Sequence, residues 1–237
     1  PTKFAKAAPV RRDGGLRAGC ARGSVAPGAF FCPIDSKCGG CEWLAVPYAE
    51  QLKRKQHEVE GLFDGLLDSE TAVRPILGMD DPFHYRNKVH AVLAVDKAGK
   101  PISGVYAMGT HRVVPVRHCL IEDRRADRII QTIVAMLPAY KLRIYNEYTH
   151  RGFLRHILIR TGHVTGQIMV VLVATSLEFP GKKAFVQELI QRHPEITTVV
   201  LNCNQRETSM VLGTKEITLY GEGYMEDELC GTRFLHL

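Results

Sequence analysis

The sequence predicts an α+β fold: an antiparallel sheet with helices mainly on one face, preceded by a cysteine-rich segment and a long helix. Three observations predict it. Apolar runs with strand-like alternation come in neighbouring pairs joined by turn residues. Three other segments repeat their apolar residues at helical spacing. These helical segments are interspersed among the strands rather than alternating with them one for one.

Residues 1–31 are rich in Gly, Ala, Arg and Pro without a sustained period, and they read as a flexible tail. Cysteines crowd residues 32–41. Pro47 suits a first helical position, and Leu52, Val59, Leu62, Phe63 and Leu66 share one side, so a helix is predicted from 47 to about 67. From Tyr85 the period changes. Val89, Ala91, Leu93 and Val95 alternate, and Asp96-Lys97-Ala98-Gly99-Lys100 predicts a hairpin turn into a strand over 102–107. A helix follows over 123–137, with Ile129, Ile130, Ile133, Val134 and Leu137 as its buried stripe and Pro138 as its stop. Strands over 154–160 and 167–175 pair through Thr161-Gly162-His163 and Gly166. A third helix spans 182–192, opened by Pro180-Gly181 and closed by Pro194. Strands near 197–203, 209–213, 216–220 and 232–236 finish the chain, and no internal repeat is visible. The expected organisation is a tail over 1–31, a cysteine segment plus helix over 32–78, and an α+β domain over 79–237.

With 237 residues, 45% hydrophobic and 24% charged, the chain has an ordinary globular composition. No run approaches the ~18 apolar residues of a membrane span. Pro9, Arg11, Arg12 and Asp13 interrupt the basic N-terminal stretch, which leaves no signal-peptide core. A cytoplasmic protein without membrane contact is therefore expected. The net charge of +6 favours polyanionic partners without naming one. Clustered cysteines in a cytosolic chain read as metal or redox chemistry before disulfides.

Cys32-x5-Cys38-x2-Cys41 carries Gly39 and Gly40 between its last two members. Thiolates are soft ligands for zinc or an iron–sulfur cluster, and glycines let the backbone wrap closely around such a centre. Cys119, in Arg117-His118-Cys119-Leu120 between a predicted strand and a predicted helix, is the candidate fourth ligand. Other readings stand beside this one. Cys38-x-x-Cys41 also fits a redox pair, although no strand precedes it and Cys32 would be idle. A zinc site more often presents its ligands as two short pairs. A radical centre on S-adenosylmethionine uses a different spacing. Cys20, Cys203 and Cys230 read as ordinary small residues.

Taken together, Cys32-Pro33 through Cys38-Gly39-Gly40-Cys41, Gln51 and Lys55, Tyr85-Arg86-Asn87-Lys88-Val89, Gly104-Val105-Tyr106 with His111, Cys119, and Gly152-x-Leu154-Arg155-His156 with Arg160 resemble one family. Asn202, Gly213 and Gly221 through Tyr224 continue the same order. The family is that of the RNA (uracil-5-)-methyltransferases with a 4Fe–4S cluster, especially its 23S ribosomal RNA branch. The resemblance implies that Cys32, Cys38, Cys41 and Cys119 hold one structural cluster, which would contribute folding free energy directly. It also implies that S-adenosyl-L-methionine is the methyl donor of the complete enzyme.

Two departures shape the functional expectation. The family's Rossmann-like methyltransferase domain is expected to be absent, because no strand–glycine loop–helix unit for a nucleoside cofactor is found. Cys203-Asn204 looks like the family's nucleophile segment, but no Asp-Pro-Pro motif precedes it, so no catalytic residue is assigned. The expectation is thus the iron–sulfur and RNA-binding portion of a uracil methyltransferase, inactive alone and monomeric, with 23S rRNA as partner. The alternatives are a free-standing iron–sulfur or zinc RNA-binding module and an electron-transfer protein. RNA loops are read by stacking, by Arg planes and by phosphate contacts. Arg86, Asn87 and Lys88 are the first candidates, with Tyr106, His111, Arg112, Arg155, His156 and Arg160 in support. Arg155 and Arg160 fall on opposite faces of a regular strand, so one of the two at most would reach RNA directly.

Overall fold

The computed structural model describes residues 30–67, 70–207 and 210–236. The tail expected over 1–31 therefore lies, but for its last two residues, outside the described residues, and Cys20 lies there too. The chain divides between Ile76 and Leu77 into two units, and each is described by itself.

The first unit carries a short helix, α1 (Asp35–Cys38), and a long one, α2 (Tyr48–Phe63). α2 starts directly after Pro47 and ends four residues short of the predicted stop. Gly65, in the left-handed region at φ 70°, turns the chain away after Phe63. α2 has no buried residue, and Val59, Leu62 and Phe63 are exposed. Periodicity marks a face but does not supply the surface that covers it. Side-chain amides anchor the helix instead. Gln51 donates from Nε2 to the carbonyls of Trp43 and Val46, at 3.0 and 2.8 Å. Gln56 accepts from the Ile76 amide at 2.7 Å and donates to the Arg74 carbonyl, which holds the segment around Val73 and Pro75 along α2.

The second unit is a seven-stranded sheet in the order β3-β2-β1-β4-β5-β6-β7. Its strands are β1 (Lys88–Val95), β2 (Pro101–Tyr106), β3 (Val113–Pro115), β4 (Leu154–Thr161), β5 (Ile168–Ala174), β6 (Ile196–Cys203) and β7 (Lys215–Tyr220). Two helices, α3 (Arg124–Met136) and α4 (Lys182–Arg192), join it. The β1–β2 turn is closed by Asp96, whose Oδ1 accepts from the amides of Ala98 and Lys100 while Gly99 takes φ 77°. Asp123 caps α3 by accepting from the Arg125 amide at 2.8 Å.

The predicted antiparallel sheet is corrected to a mixed one, because β5 and β6 run parallel. Helix α4 lies between them in sequence, and a crossover through a helix returns the chain in the same direction. Both strands are buried along almost their whole length, which is the mark of central strands in such a unit. The main core packs Ile129 and Ile133 of α3, Leu137 at its C-cap, and Phe185 and Leu189 of α4 against Ile157, Ile159, Leu172 and Leu201 of the sheet. Each such side chain contributes roughly 1.5–3 kcal/mol by leaving water. A smaller cluster with Leu158, Val171, Val173 and Val200 forms separately. It includes Met225 of a further two-stranded hairpin, β8 (Met225–Leu229) with β9 (Thr232–His236).

Candidate functional site

The β1–β4 register sets Lys88 opposite Arg160, His90 opposite Leu158 and Val92 opposite His156. Opposed residues of an antiparallel pair share a face. Val89, Ala91, Ile157 and Ile159 belong to the helix-side core, so Lys88, His90, His156 and Arg160 stand on the other face. Gly104 is opposed to Val92, which places Tyr106, two residues on, on that face as well. Its ring meets His111 edge-on at 5.5 Å. The Ala107 amide donates to the Arg112 carbonyl at 2.8 Å, closing the turn on which His111 and Arg112 are exposed. Lys88, Arg160 and Tyr106 thus make a basic and aromatic strip on this face, with His111 against Tyr106 and Arg112 on the adjoining turn.

His156 is only 6% exposed and meets the His90 ring edge-on at 4.8 Å. Burial pushes the His156 imidazole down to about 3, with smaller contributions from His90 and Arg155. Burial also lowers His90, with Lys88 adding to the effect. His90 Nε2 and His156 Nδ1 are buried without a hydrogen-bond partner. Sequence reasoning missed His90. Only the strand register, invisible in one sequence, reveals the pair.

Arg155 sits at a register shift between Leu154 and His156, and it is 3% exposed. Its Nη2 donates to both Glu147 carboxylate oxygens, at 3.0 and 3.1 Å. Its Nη1 donates to the carbonyls of Asn204 and Arg206, and the guanidinium lies 4.5 Å from the centre of the Tyr145 ring. Arg155 therefore ties loops together from inside, while Arg160 remains partly exposed.

Arg86 is partly buried, and Asn87 and Lys88 are exposed. The Arg86 amide donates to the Ile121 carbonyl at 2.9 Å, and its charge offsets part of the burial that raises the Glu122 carboxyl to about 7. Asp127, raised by burial in the same way, lies beside Glu122 and accepts from the Cys119 amide at 2.9 Å. The Cys119 thiol is pushed up to about 11, chiefly by burial, although the amides of Ile121 and Glu122 bond to it.

In the first unit, α1 follows Cys32 and ends on Cys38, with Gly39 as its C-cap at φ 66°. A Cβ at Gly40 would press on Cys38 Sγ at 3.2 Å, as expected of a chain wrapped close to its sulfurs. Cys32, Cys38 and Cys41 are partly buried thiols, a donor set whose chemistry fits a soft metal centre. Among the described residues, however, no three His, Cys, Asp or Glu side chains are gathered to hold a metal ion. Cys203 ends β6 with its thiol against the Thr175 carbonyl. Among the described residues no helix is long and apolar enough to cross a membrane.

No family model matches the chain. A protein of Bacillus cereus named uncharacterized RNA methyltransferase is 34% identical over 206 residues, which are 86% of this chain and 44% of that one. A protein of the same name from Clostridium tetani is 35% identical over 203 residues, with the same coverage. The chain is thus related to RNA methyltransferases and spans less than half the length of these relatives. Among solved structures, the tRNA (uracil-54, C5)-methyltransferase of Pyrococcus abyssi, in complex with S-adenosyl-L-homocysteine, matches with a TM-score of 0.62 at 19% identity. That match covers 86% of this chain and 46% of that one. It corrects the expectation that a methyltransferase fold is absent: the fold present here is shared with a methyltransferase. The inactivity expected from that absence loses its ground with it.

Proposed function

We propose that the chain is the RNA-binding portion of an S-adenosyl-L-methionine-dependent RNA (uracil-5-)-methyltransferase, with 23S rRNA as its substrate. The observation that carries this reading is Lys88, Arg160 and Tyr106 on one sheet face, with the His111 ring against Tyr106 and Arg112 exposed on the same turn. The RNA methyltransferase relatives support it. Methylation at a base carbon requires the nucleotide to leave its stack, at a cost of roughly a few kcal/mol that contacts elsewhere must offset. Cations on a sheet bind phosphates, and the adjoining rings stack on unpaired bases. S-adenosyl-L-methionine would supply the methyl group, and no residue of this chain is assigned to it. Asn87 and Arg86 extend the strip along the chain, whereas Arg155 and His156 act from beneath its surface.

The cysteines belong to the same proposal. Cys32, Cys38 and Cys41 are assigned as thiolate ligands of a 4Fe–4S cluster, with Cys119 as the fourth. The support is their spacing, their chemistry and the glycine beside Cys38. Such a cluster would act as a cross-link that stabilises the fold.

Two measurements on the whole chain test this. Fluorescence anisotropy with single-stranded RNA should show binding that weakens with salt, each phosphate contact adding about 0.7–0.9 to the log–log slope. Anaerobic purification should yield about four irons and four sulfides per chain, diminished by Cys119→Ser. A chain without RNA affinity overturns the RNA reading. One zinc without sulfide, or no metal, overturns the cluster.

A further inference from the structure

Between α3 and β4 the chain makes a turn that is held far more firmly than a simple connection requires. The Asn146 amide donates to the Arg151 carbonyl and the His150 amide to the Asn146 carbonyl, each at 2.8 Å. Asn146 Oδ1 accepts from the amides of both Tyr148 and Thr149 at 2.9 Å. His150 adopts φ 54°, a strained value for a residue with a Cβ. Gly152, at φ 126°, permits a close approach in which a Cβ would overlap the Ile144 carbonyl.

The turn is also bolted to the sheet. Glu147 takes the fork of Arg155, and the Tyr145 hydroxyl meets His150 Nδ1 at 3.1 Å. Burying a guanidinium is costly, and Arg155 Nε has no partner at all. At the tip of this rigid turn Tyr148 is 77% exposed. Its neighbours Arg143, His150 and Arg151 are exposed as well, although Glu207 pairs with His150 at 3.3 Å. Tyr106 on the sheet face is raised first by burial and then by Glu147 of this turn, with Arg155 opposing and Tyr148 adding a smaller effect.

We propose that Tyr148 is a stacking platform for an unpaired base of bound RNA, and that Arg155 is the positioning residue that fixes the turn presenting it. The proposal rests on the RNA-binding reading above. A base has an apolar face and its chain carries negative charge, which suits an exposed ring among cations. A turn fixed beforehand loses little conformational freedom on binding.

The test is anisotropy of the whole chain with fluorescein-labelled oligouridine across a salt series. Tyr148→Ala should weaken binding about 5- to 100-fold, the loss of one stacked base, with the salt slope of the wild type. Tyr148→Phe should bind within about twofold of the wild type, since it keeps the ring. Arg155→Lys should weaken binding at unchanged slope, with faster hydrogen exchange over 147–150. A slope lowered by about 0.7 would make Arg155 a phosphate contact and overturn its positioning role. Tyr148→Ala binding like the wild type, while Lys88→Ala weakens binding, overturns the platform and leaves the RNA reading standing. If the wild type binds no oligouridine but binds a protein partner through this turn, both fall.

Discussion

Lys88 and Arg160 are direct register partners across β1 and β4, two cations side by side on one sheet face. Like charges so placed oppose folding by roughly 0.2–1 kcal/mol. The RNA proposed to bind here would satisfy both charges. Lys88→Ala should therefore leave stability unchanged or slightly raised, yet weaken RNA binding and lower the log–log salt slope by about 0.7–0.9. A variant with wild-type affinity and slope would show that the pair faces solvent only.

Glu147 and Arg155 lead to an asymmetric prediction. The Arg155 side chain is 3% exposed and that of Glu147 28%, so water reaches one partner and not the other. Glu147→Ala strands a buried charge and should cost about 3–5 kcal/mol in urea denaturation. Adding Arg155→Met removes that charge and should recover part of the loss. A double variant no more stable than Glu147→Ala alone would contradict this account.

The histidine pair sets an acid limit on stability. His156 has its folded value depressed to about 3 from an ordinary 6.5, and His90 is depressed in the same direction. A group depressed in the fold contributes stability that is present above its unfolded value and lost as pH falls towards the folded one. Stability should therefore decline between pH 6.5 and about 3, by on the order of a few kcal/mol. His156→Phe should flatten that limb in urea titrations at several pH values. An unchanged acid limb would place its cause elsewhere.

What could be read from the sequence followed the strength of its local signals. α3 and α4 fall where their apolar stripes and their proline and glycine stops place them. β4, β5 and β6 are long apolar runs, and they too lie within a residue or so of expectation. Their directions were not legible, since a run of Ile and Val is the same in a parallel and an antiparallel ladder. β3 has three residues and β8 is mostly acidic, so neither shows alternation. Of the strand expected near 209–213, Met210 to Gly213 are not strand, and Ser209 lies outside the described residues. The site divides likewise. Basic and aromatic residues stand out by type, but the shift at Arg155 that buries it, and the meeting of His90 with His156, depend on pairing between distant strands.

Asp227 of the β8–β9 hairpin gathers the amides of the β4–β5 turn. Asp227 accepts from the amides of His163 and Val164 at 2.9 and 3.0 Å, and more weakly from Thr165 at 3.4 Å. Beside it the Thr165 hydroxyl donates to the Glu226 carbonyl at 2.6 Å, and the Glu226 amide donates to Gln167 Oε1 at 2.8 Å. A carboxylate that collects successive amides closes the β4–β5 turn as a cap closes a helix, and such charge-assisted bonds are stronger than neutral ones. Asp227→Ala leaves those amides to water at an exposed turn, so the expected loss is about 1–2 kcal/mol rather than unfolding. Met225, 1% exposed, still holds the near end of the hairpin in the smaller core. The change should therefore be local. Hydrogen exchange should quicken at 163–165 and along β8 and β9, while the amides of β5 and β6 keep their protection. Asp227→Asn keeps one acceptor oxygen and should fall between. Protection at 163–165 that survives Asp227→Ala would show that Thr165 and Gln167 suffice to hold the hairpin.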